Sequence, residues 1–387
     1  MHICVVNLDI EYYAPSNGGA IATVIMESSR ELERRGHRIS VVTRVDGAPT
    51  YDVGDIVKME VFGRSDLNIV KRLASRVEVK ARRWQRPYYR YHFREIVRAI
   101  QSLESPPDAI IVHNDVVAPY LLKQVLPGVH IAVWLHNELP ASSSSRSSRM
   151  LSAPDSVFVV SDHLAIWARR YGYTPGQLTV VRNGVNLCTF HPREGWRERS
   201  YPVRVLFLGR INPDKGPHLV IDACSVLRDE GYDLQLTVVG GTWWYGPDED
   251  PYFLSQRKRA LATGARWMGH VERDRVPSIV RDHDILCLPS LSPEGYPLVI
   301  GEAQAAALAI ITSDRGGQAE AGGRAALLVR PEDPRTVVEA LRSLVRDPTA
   351  LYDAKTRARA EAERSTWEQV AVTVERRLLS HGPRRSR

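Results

Sequence analysis

Cysteine is scarce in this chain of 387 residues: there are four, Cys4, Cys188, Cys224 and Cys287. They are scattered, with no Cys-x-x-Cys and no Cys/His spacing of the kind that holds zinc, so no metal-binding motif organises the fold. Cys4, Cys224 and Cys287 sit among apolar neighbours, and buried thiols in a reducing cytosol are the reading these support. Long apolar runs are missing too. No stretch reaches the roughly eighteen apolar residues that a membrane-spanning helix needs. The opening MHICVVNLDI lacks a basic flank and a small-residue cleavage site and reads as a first strand, not a signal peptide. Lysine is sparse beside arginine. The net charge of +7 and pI near 9.3 are compatible with nucleic acid, a membrane surface or anionic metabolites and do not choose among them. Also absent is Gly-x-Gly-x-x-Gly after the first strand, where NLDIEYYAPSNGGA stands instead. That disfavours a dinucleotide-dependent oxidoreductase.

What is present is a series of short, continuous apolar runs alternating with helical patterns, as expected of parallel strands buried on both faces. ICVVN, ISVVT (39–43), AIIVH (109–113), IAVWLH (131–136), SVFVVS (156–161) and TVVRNG (179–184) make a first series, with a helix from near Ala20 to Arg35. CTFHPREGWRERSYP (188–202) breaks the pattern and reads as a linker. VRVLFLG (203–209), LQLTVVGG (234–241), DILCLPS (284–290), AIITSD (309–314) and AALLV (325–329) make a second series. The expected fold class is α/β, with two Rossmann-like domains at 1–190 and 203–365. Ligands of such sheets bind at the C-terminal strand ends, and two domains suggest a cleft between them.

Two segments carry chemistry. In LGRINPDKGPHLVIDA (208–223), Arg210 and Lys215 follow a strand and precede a helix near Pro217, an arrangement that suits a phosphate as well as it suits a charged surface loop. PSLSPEGYPLVIGEAQAAALAII (289–311) carries no charge except Glu294 and Glu302. Gly295 permits close backbone approach, and a helix starting near Leu298 offers unpaired amides. Each carboxylate can accept two hydroxyls, as a vicinal diol presents them, so the acids read as needing hydroxyls and not cations. A capping acid and a helix-dipole partner remain the bland alternative.

With these residues in view, the chain resembles the large GT4 family of retaining glycosyltransferases, which have the GT-B fold of two Rossmann-like domains facing each other across a cleft. Glu294 to Glu302 is similar to the family's E-x7-E motif. GGAIATV (18–24), LHNE (135–138), RNGVNLCTF (182–190), GRINPDKG, GHVE (269–272), GGQAE (316–320) and STWEQVA (365–371) resemble its other elements in order. The resemblance implies that Arg210 and Lys215, next to Gly209, hold the donor diphosphate. It implies that Glu302 binds the ribose and that Glu294 binds the donor-sugar hydroxyls, helped by Gly295 and by the backbone of the Tyr296, Pro297, Leu298 and Val299 stretch. Gly18 and Gly19 would let the first loop approach the β-phosphate and the acceptor. His136 would sit beside the donor sugar and Asn183 near the cleft, and a closing helix at about 366–380 would pack back on the first domain, which binds the acceptor. His136 is otherwise a hydrogen-bonded packing residue.

The same resemblance implies retention of configuration, no resident cofactor, no metal ligand and a nucleotide sugar as donor, UDP before GDP. In GPDEDP the acids read as a solvated turn, so no metal is expected. Where the family usually has Gly and Pro after the second glutamate, Ala307 and Ala309 stand, predicting altered geometry there. Trp243, Trp244 and Tyr245 read equally as a stacking platform or as cover for a domain edge. The basic, aromatic stretch 64–98 reads either as a plain amphipathic helix or as a peripheral membrane or anionic-acceptor contact, and the Ser-rich 138–150 as a mobile loop. A cytoplasmic protein acting on a hydroxyl acceptor (natural product, polysaccharide or lipid-linked sugar), and not on nucleic acid, is expected. A non-catalytic sugar-nucleotide binder and a GT-B-type epimerase stay open.

Overall fold

A computed structural model describes residues 1–7, 11–16, 19–45, 49–60, 89–139, 148–196, 202–242 and 250–380. Gly18, the aromatic run 243–245, most of the basic stretch 64–98, most of the Ser-rich segment and the tail from 381 lie outside them. The chain divides into two compact units, Met1–Arg182 with Trp367–Arg387, and Asn183–Thr366.

The N-terminal unit is built on a parallel sheet of β1 (His2–Val6), β2 (Arg38–Thr43), β3 (Asp55–Lys58), β4 (Ala109–His113), β5 (His130–Leu135), β6 (Ser156–Val159) and β7 (Leu178–Val180), in the order β3-β2-β1-β4-β5-β6-β7. The central strands β1, β4, β5 and β6 are buried along their whole length, as β-branched runs covered on both faces should be. Helices α1 (Ala20–Arg34), α2 (Tyr89–Gln101), α3 (Ala118–Val125), α4 (Ser148–Leu151) and α5 (Asp162–Tyr171) connect them. Ile96, Ala99 and Ile100 of α2 and Ala118 and Leu122 of α3 close one core over Cys4, Val6, Val42 and Ile110.

The C-terminal unit has a second parallel sheet of β8 (Val203–Leu208), β9 (Leu234–Val239), β10 (Arg266–Gly269), β11 (Ile285–Leu288), β12 (Ala309–Ser313) and β13 (Leu327–Val329), in the order β10-β9-β8-β11-β12-β13. Its helices are α6 (Pro217–Asp229), α7 (Pro251–Ala262), α8 (Val276–Arg281), α9 (Leu298–Ala305), α10 (Gln318–Gly322), α11 (Pro334–Arg346) and α12 (Pro348–Ala362). The last helix, α13 (Trp367–Leu379), belongs to the first unit and lies against α1. There Glu375 accepts from Arg35 Nε at 2.9 Å and pairs with His37 Nε2 at 2.9 Å.

Two expectations need correction. The first unit ends at Arg182, not at 190, because Val185 and Phe190 are buried in the core of the second unit and Val185 N donates to Ser365 O at 2.8 Å. The segment read as a linker is likewise anchored there: Arg193 pairs with the buried Asp284 at 2.9 Å and Trp196 stacks on Tyr352. Among the described residues no helix is long and apolar enough to cross a membrane.

Candidate functional site

Strand order reverses between β8 and β11, and the loops leaving these two neighbours carry the charged residues. In open parallel sheets this switch point is where ligands bind. Arg210 is exposed two residues past β8. Asn212 then caps a short turn by accepting from Lys215 N at 3.1 Å, which fixes the lysine's backbone. Asp214 O accepts from Leu291 N at 2.7 Å, tying this loop to the one that leaves β11.

That second loop brings Glu294 to Lys215, and the two side chains form an ion pair in which Ser290 also donates to the carboxylate. Gly316 supports Glu294 from behind: Gly317 N donates to Glu294 O at 2.7 Å. A Cβ on Gly316 would come within 2.5 Å of that carbonyl oxygen, and its φ of +59° is in the left-handed region that only glycine adopts freely. Asn183 Nδ2 donates to Tyr296 O at 2.9 Å and so holds the Gly295–Pro297 turn, while its Oδ1 is buried with no partner among the described residues. Helix α9 then begins at Leu298 behind Pro297. Among the described residues no side chain caps it, and its first turn holds no acid. Its first amides have no acceptor within the helix, which leaves donors and the positive dipole end toward an anion.

Glu302, in the second turn of α9, is buried to 4% exposure. It is gripped by Arg273, whose Nη1 donates to Oε2 at 3.1 Å and whose Nη2 pairs with Oε1. The expectation that these acids lack cationic partners is therefore wrong. Each receives one from a distant segment, because a buried carboxylate without a bound ligand needs a counter-charge. Ala307 corrects a second expectation. It adopts φ +57°, and its amide and that of Leu308 donate back to Gln304 O and Ala303 O at 2.9 Å. This is the helix-ending geometry that a glycine would give, and the alanine preserves it.

In the N-terminal unit the switch point falls between β1 and β4. Glu11, after β1, is buried and sits over the start of α1. Its Oε2 accepts from Ala22 N at 3.1 Å, with Ile21 N also donating. Burial pushes its pKa up to about 7 despite these amides. Gly19 is the residue capping α1 in extended conformation. His136, just past β5, is buried, and its Nε2 lies 2.8 Å from His113 Nδ1. Its backbone N–H donates to Asn114 Oδ1 at 2.7 Å. Burial lowers His136 to about 3 and, with His136 beside it, lowers His113 well below the usual range, so both rings are neutral and one donates to the other. Of the His136 ring nitrogens, Nε2 is the one engaged with His113. Among the described residues no group of three or more His, Cys, Asp or Glu is gathered as metal ligands would be; Asp250 of the acidic turn caps α7.

The structure thus brings Lys215, Glu294, Gly295, Tyr296, Pro297, Leu298, Val299, Glu302 and Asn183 together in one unit, with Gly209 and Arg210 at the end of β8. Sequence reasoning missed Arg273, Ser290, Gly316, Glu11 and His113. Arg273 follows GHVE directly and Gly316 opens GGQAE, so both stood next to segments already singled out; nothing local marked His113 or Ser290.

Two parallel α/β units with their charged loops at a switch point define a protein of the GT-B class. Its sequence matches the family model for group 1 glycosyl transferases over residues 192–364 and that for glycosyltransferase family 4 over 18–188. The chain belongs to these group 1/family 4 glycosyltransferases. A glycogen synthase of Mycobacterium tuberculosis is 32% identical over 210 residues, 52% of this chain and 49% of the relative, so the chain matches about half the length of such relatives. Sucrose-phosphate synthase from Thermosynechococcus elongatus shares the fold with a TM-score of 0.71 at 17% identity, covering 98% of this chain and 100% of that one. Anabaena HepE in complex with UDP-glucose does so at 0.70 and 15%, with the same coverage.

Proposed function

We propose that the chain is a retaining glycosyltransferase that moves a sugar from a nucleotide-diphosphate sugar, UDP first and GDP next, to a hydroxyl acceptor. The observation that carries this reading is the Lys215–Glu294 pair beside the start of α9, with Glu302 in the same helix. Cation, unpaired amides and two carboxylates match the order diphosphate, sugar, ribose. The family match, and a fold neighbour solved with UDP-glucose, support the donor class.

The chemistry follows from charge. The bond from the sugar's anomeric carbon to the β-phosphate oxygen breaks, and the negative charge that develops on the diphosphate is met by Arg210, Lys215 and the amides of Leu298 and Val299. The acceptor hydroxyl attacks the same face and passes its proton to the departing phosphate oxygen, so the configuration is retained. We propose no metal in this step, since two cations and a helix dipole meet the phosphate charge. Glu294 holds the sugar hydroxyls once Lys215 turns to the phosphate. The N-terminal unit binds the acceptor, with His136 offering Nδ1 as a neutral ring. The acceptor is proposed only as a hydroxyl compound, natural product or glycan.

Thermal unfolding with UDP, GDP, ADP, dTDP and NAD tests the donor, comparing the wild type with Glu302→Ala. A ligand at a hundred times its Kd stabilises by about 2.7 kcal/mol, several degrees in a protein of this size. One nucleoside diphosphate should shift the wild type and not the variant. A shift with NAD alone, or with none of the diphosphates, sinks the reading. The anomeric configuration of the product, read by NMR, decides retention.

A further inference from the structure

Three side chains from separate segments meet inside the C-terminal unit: Phe190, ahead of β8, Arg273, after β10, and Glu302 in α9. The Arg273 fork spans both oxygens of Glu302, and its guanidinium carbon lies 5.5 Å from the centre of the Phe190 ring. Glu302 is almost fully buried, whereas the Arg273 side chain keeps 28% exposure. Burying a carboxylate to this degree without a cation is costly enough that the group would shed its charge or leave the site. A bidentate guanidinium also fixes the carboxylate plane, which a lysine's point charge does not.

A carboxylate offers about four lone-pair directions, and the fork uses two. We propose that Arg273 is the positioning residue of a ribose site: by gripping both oxygens of Glu302 it aims the remaining lone pairs at the vicinal diol of a nucleoside diphosphate. Phe190 braces the guanidinium from its face, which gives a purpose to the Phe at the end of RNGVNLCTF. The inference rests on the donor reading above, with Glu302 at the ribose. Arg273 acts through Glu302, so its removal should cost the diol and leave the phosphates and base alone.

The test measures calorimetric Kd values for UDP and GDP and for their 2′,3′-dideoxy counterparts, on wild type, Arg273→Ala and Arg273→Lys, after matched melts show each variant folded. Two hydrogen bonds to a charged group make the wild type prefer the ribose form by at least tenfold. In Arg273→Ala that preference should collapse toward one, through a loss confined to the ribose form. Arg273→Lys keeps the charge without the fork and should fall between, so the outcome stays readable if the alanine variant does not fold. An equal loss for both forms, with the preference kept, makes Arg273 merely structural and overturns the inference. Tighter nucleotide binding in Arg273→Ala also overturns it, since the arginine would then be a plug over Glu302. A wild type that binds the nucleotide but does not distinguish the dideoxy form removes the ribose from Glu302, and this inference falls with it. If neither diphosphate binds, the donor reading itself fails.

Discussion

Both units place an acid between a strand at the sheet's switch point and the helix that follows it, and they use it in opposite ways. Glu11, between β1 and α1, accepts from the helix's own amides and has a raised pKa. Glu294, between β11 and α9, turns away to Lys215 and Ser290 and leaves the start of its helix uncapped. An acid laid on the N-terminus takes the donors and the dipole that an anion would use. Withholding it keeps them open. The difference teaches that one strand-loop-helix grammar makes a helix start covered by an acid in the first unit and one left uncapped in the second, according to which partner the acid finds. It is also the ground on which the proposed donor diphosphate is given to α9.

Removing the lysine breaks the contrast most severely. Lys215→Ala leaves Glu294 with Ser290 alone and takes one cation from the phosphate, and the transfer rate should fall by about 10²–10³. Glu294→Ala should lose a similar factor, and the two losses should multiply in the double variant, because with donor bound the pair has parted and each side chain holds a different group. Steady-state rates with the donor sugar nucleotide check this. A double variant no slower than either single one would mean that the two side chains stay paired and do not hold separate groups of the donor.

Glu11 supplies the opposite test, through pH. Its folded pKa of about 7 lies above the usual carboxyl value of 4.5, so the folded state holds the proton more tightly than the unfolded chain does. Its stabilising contribution is therefore complete below about pH 4.5 and is lost as pH rises through 7. The difference corresponds to roughly 3 kcal/mol at most. Glu11→Gln keeps an oxygen for the amides of Ile21 and Ala22 without the buried charge. It should stabilise the N-terminal unit by up to about 3 kcal/mol at pH 8 and by little near pH 5, as urea unfolding at the two pH values would show. An equal gain at both would mean that titration is not its source.

This contrast also marks how far the sequence could be read. The central strands were legible because burial on both faces forces continuous apolar runs such as AIIVH and AIITSD. The edge strands DIVK (β3) and RWMG (β10) were not, since each has an open side and carries charge or loses β-branching. Glu294, Glu302 and Lys215 stood out as charge in an apolar or glycine-rich setting. What decides their chemistry did not, because their partners come from afar: Lys215 lies 79 positions from Glu294, and Arg273 lies 29 from Glu302. Glu11 was hidden for a related reason, since nothing in EYYAPS says that its carboxylate folds back over Ala22. Local sequence shows which groups are available, and the fold decides which of them are left unsatisfied.

The ends of the same two helices sharpen the comparison at the smallest scale. Helix α1 closes with Gly36 N donating to Glu33 O at 2.9 Å and His37 N to Leu32 O at 3.1 Å, with Gly36 at φ +85°. Helix α9 closes with the same pair of bonds around Ala307. A Cβ on Gly36 would meet nothing within 4 Å, so Gly36→Ala isolates the backbone cost of the left-handed conformation and should destabilise by about 1 kcal/mol. Ala307→Gly relieves a similar strain but gives up a fully buried methyl, worth about 0.8 kcal/mol, and adds freedom to the unfolded chain. These terms nearly cancel, so its effect should lie within about half a kcal/mol of zero in denaturant unfolding. A full kcal/mol of stabilisation would mean that the methyl contributes nothing and that α9 carries its strain uncompensated beside the site it positions.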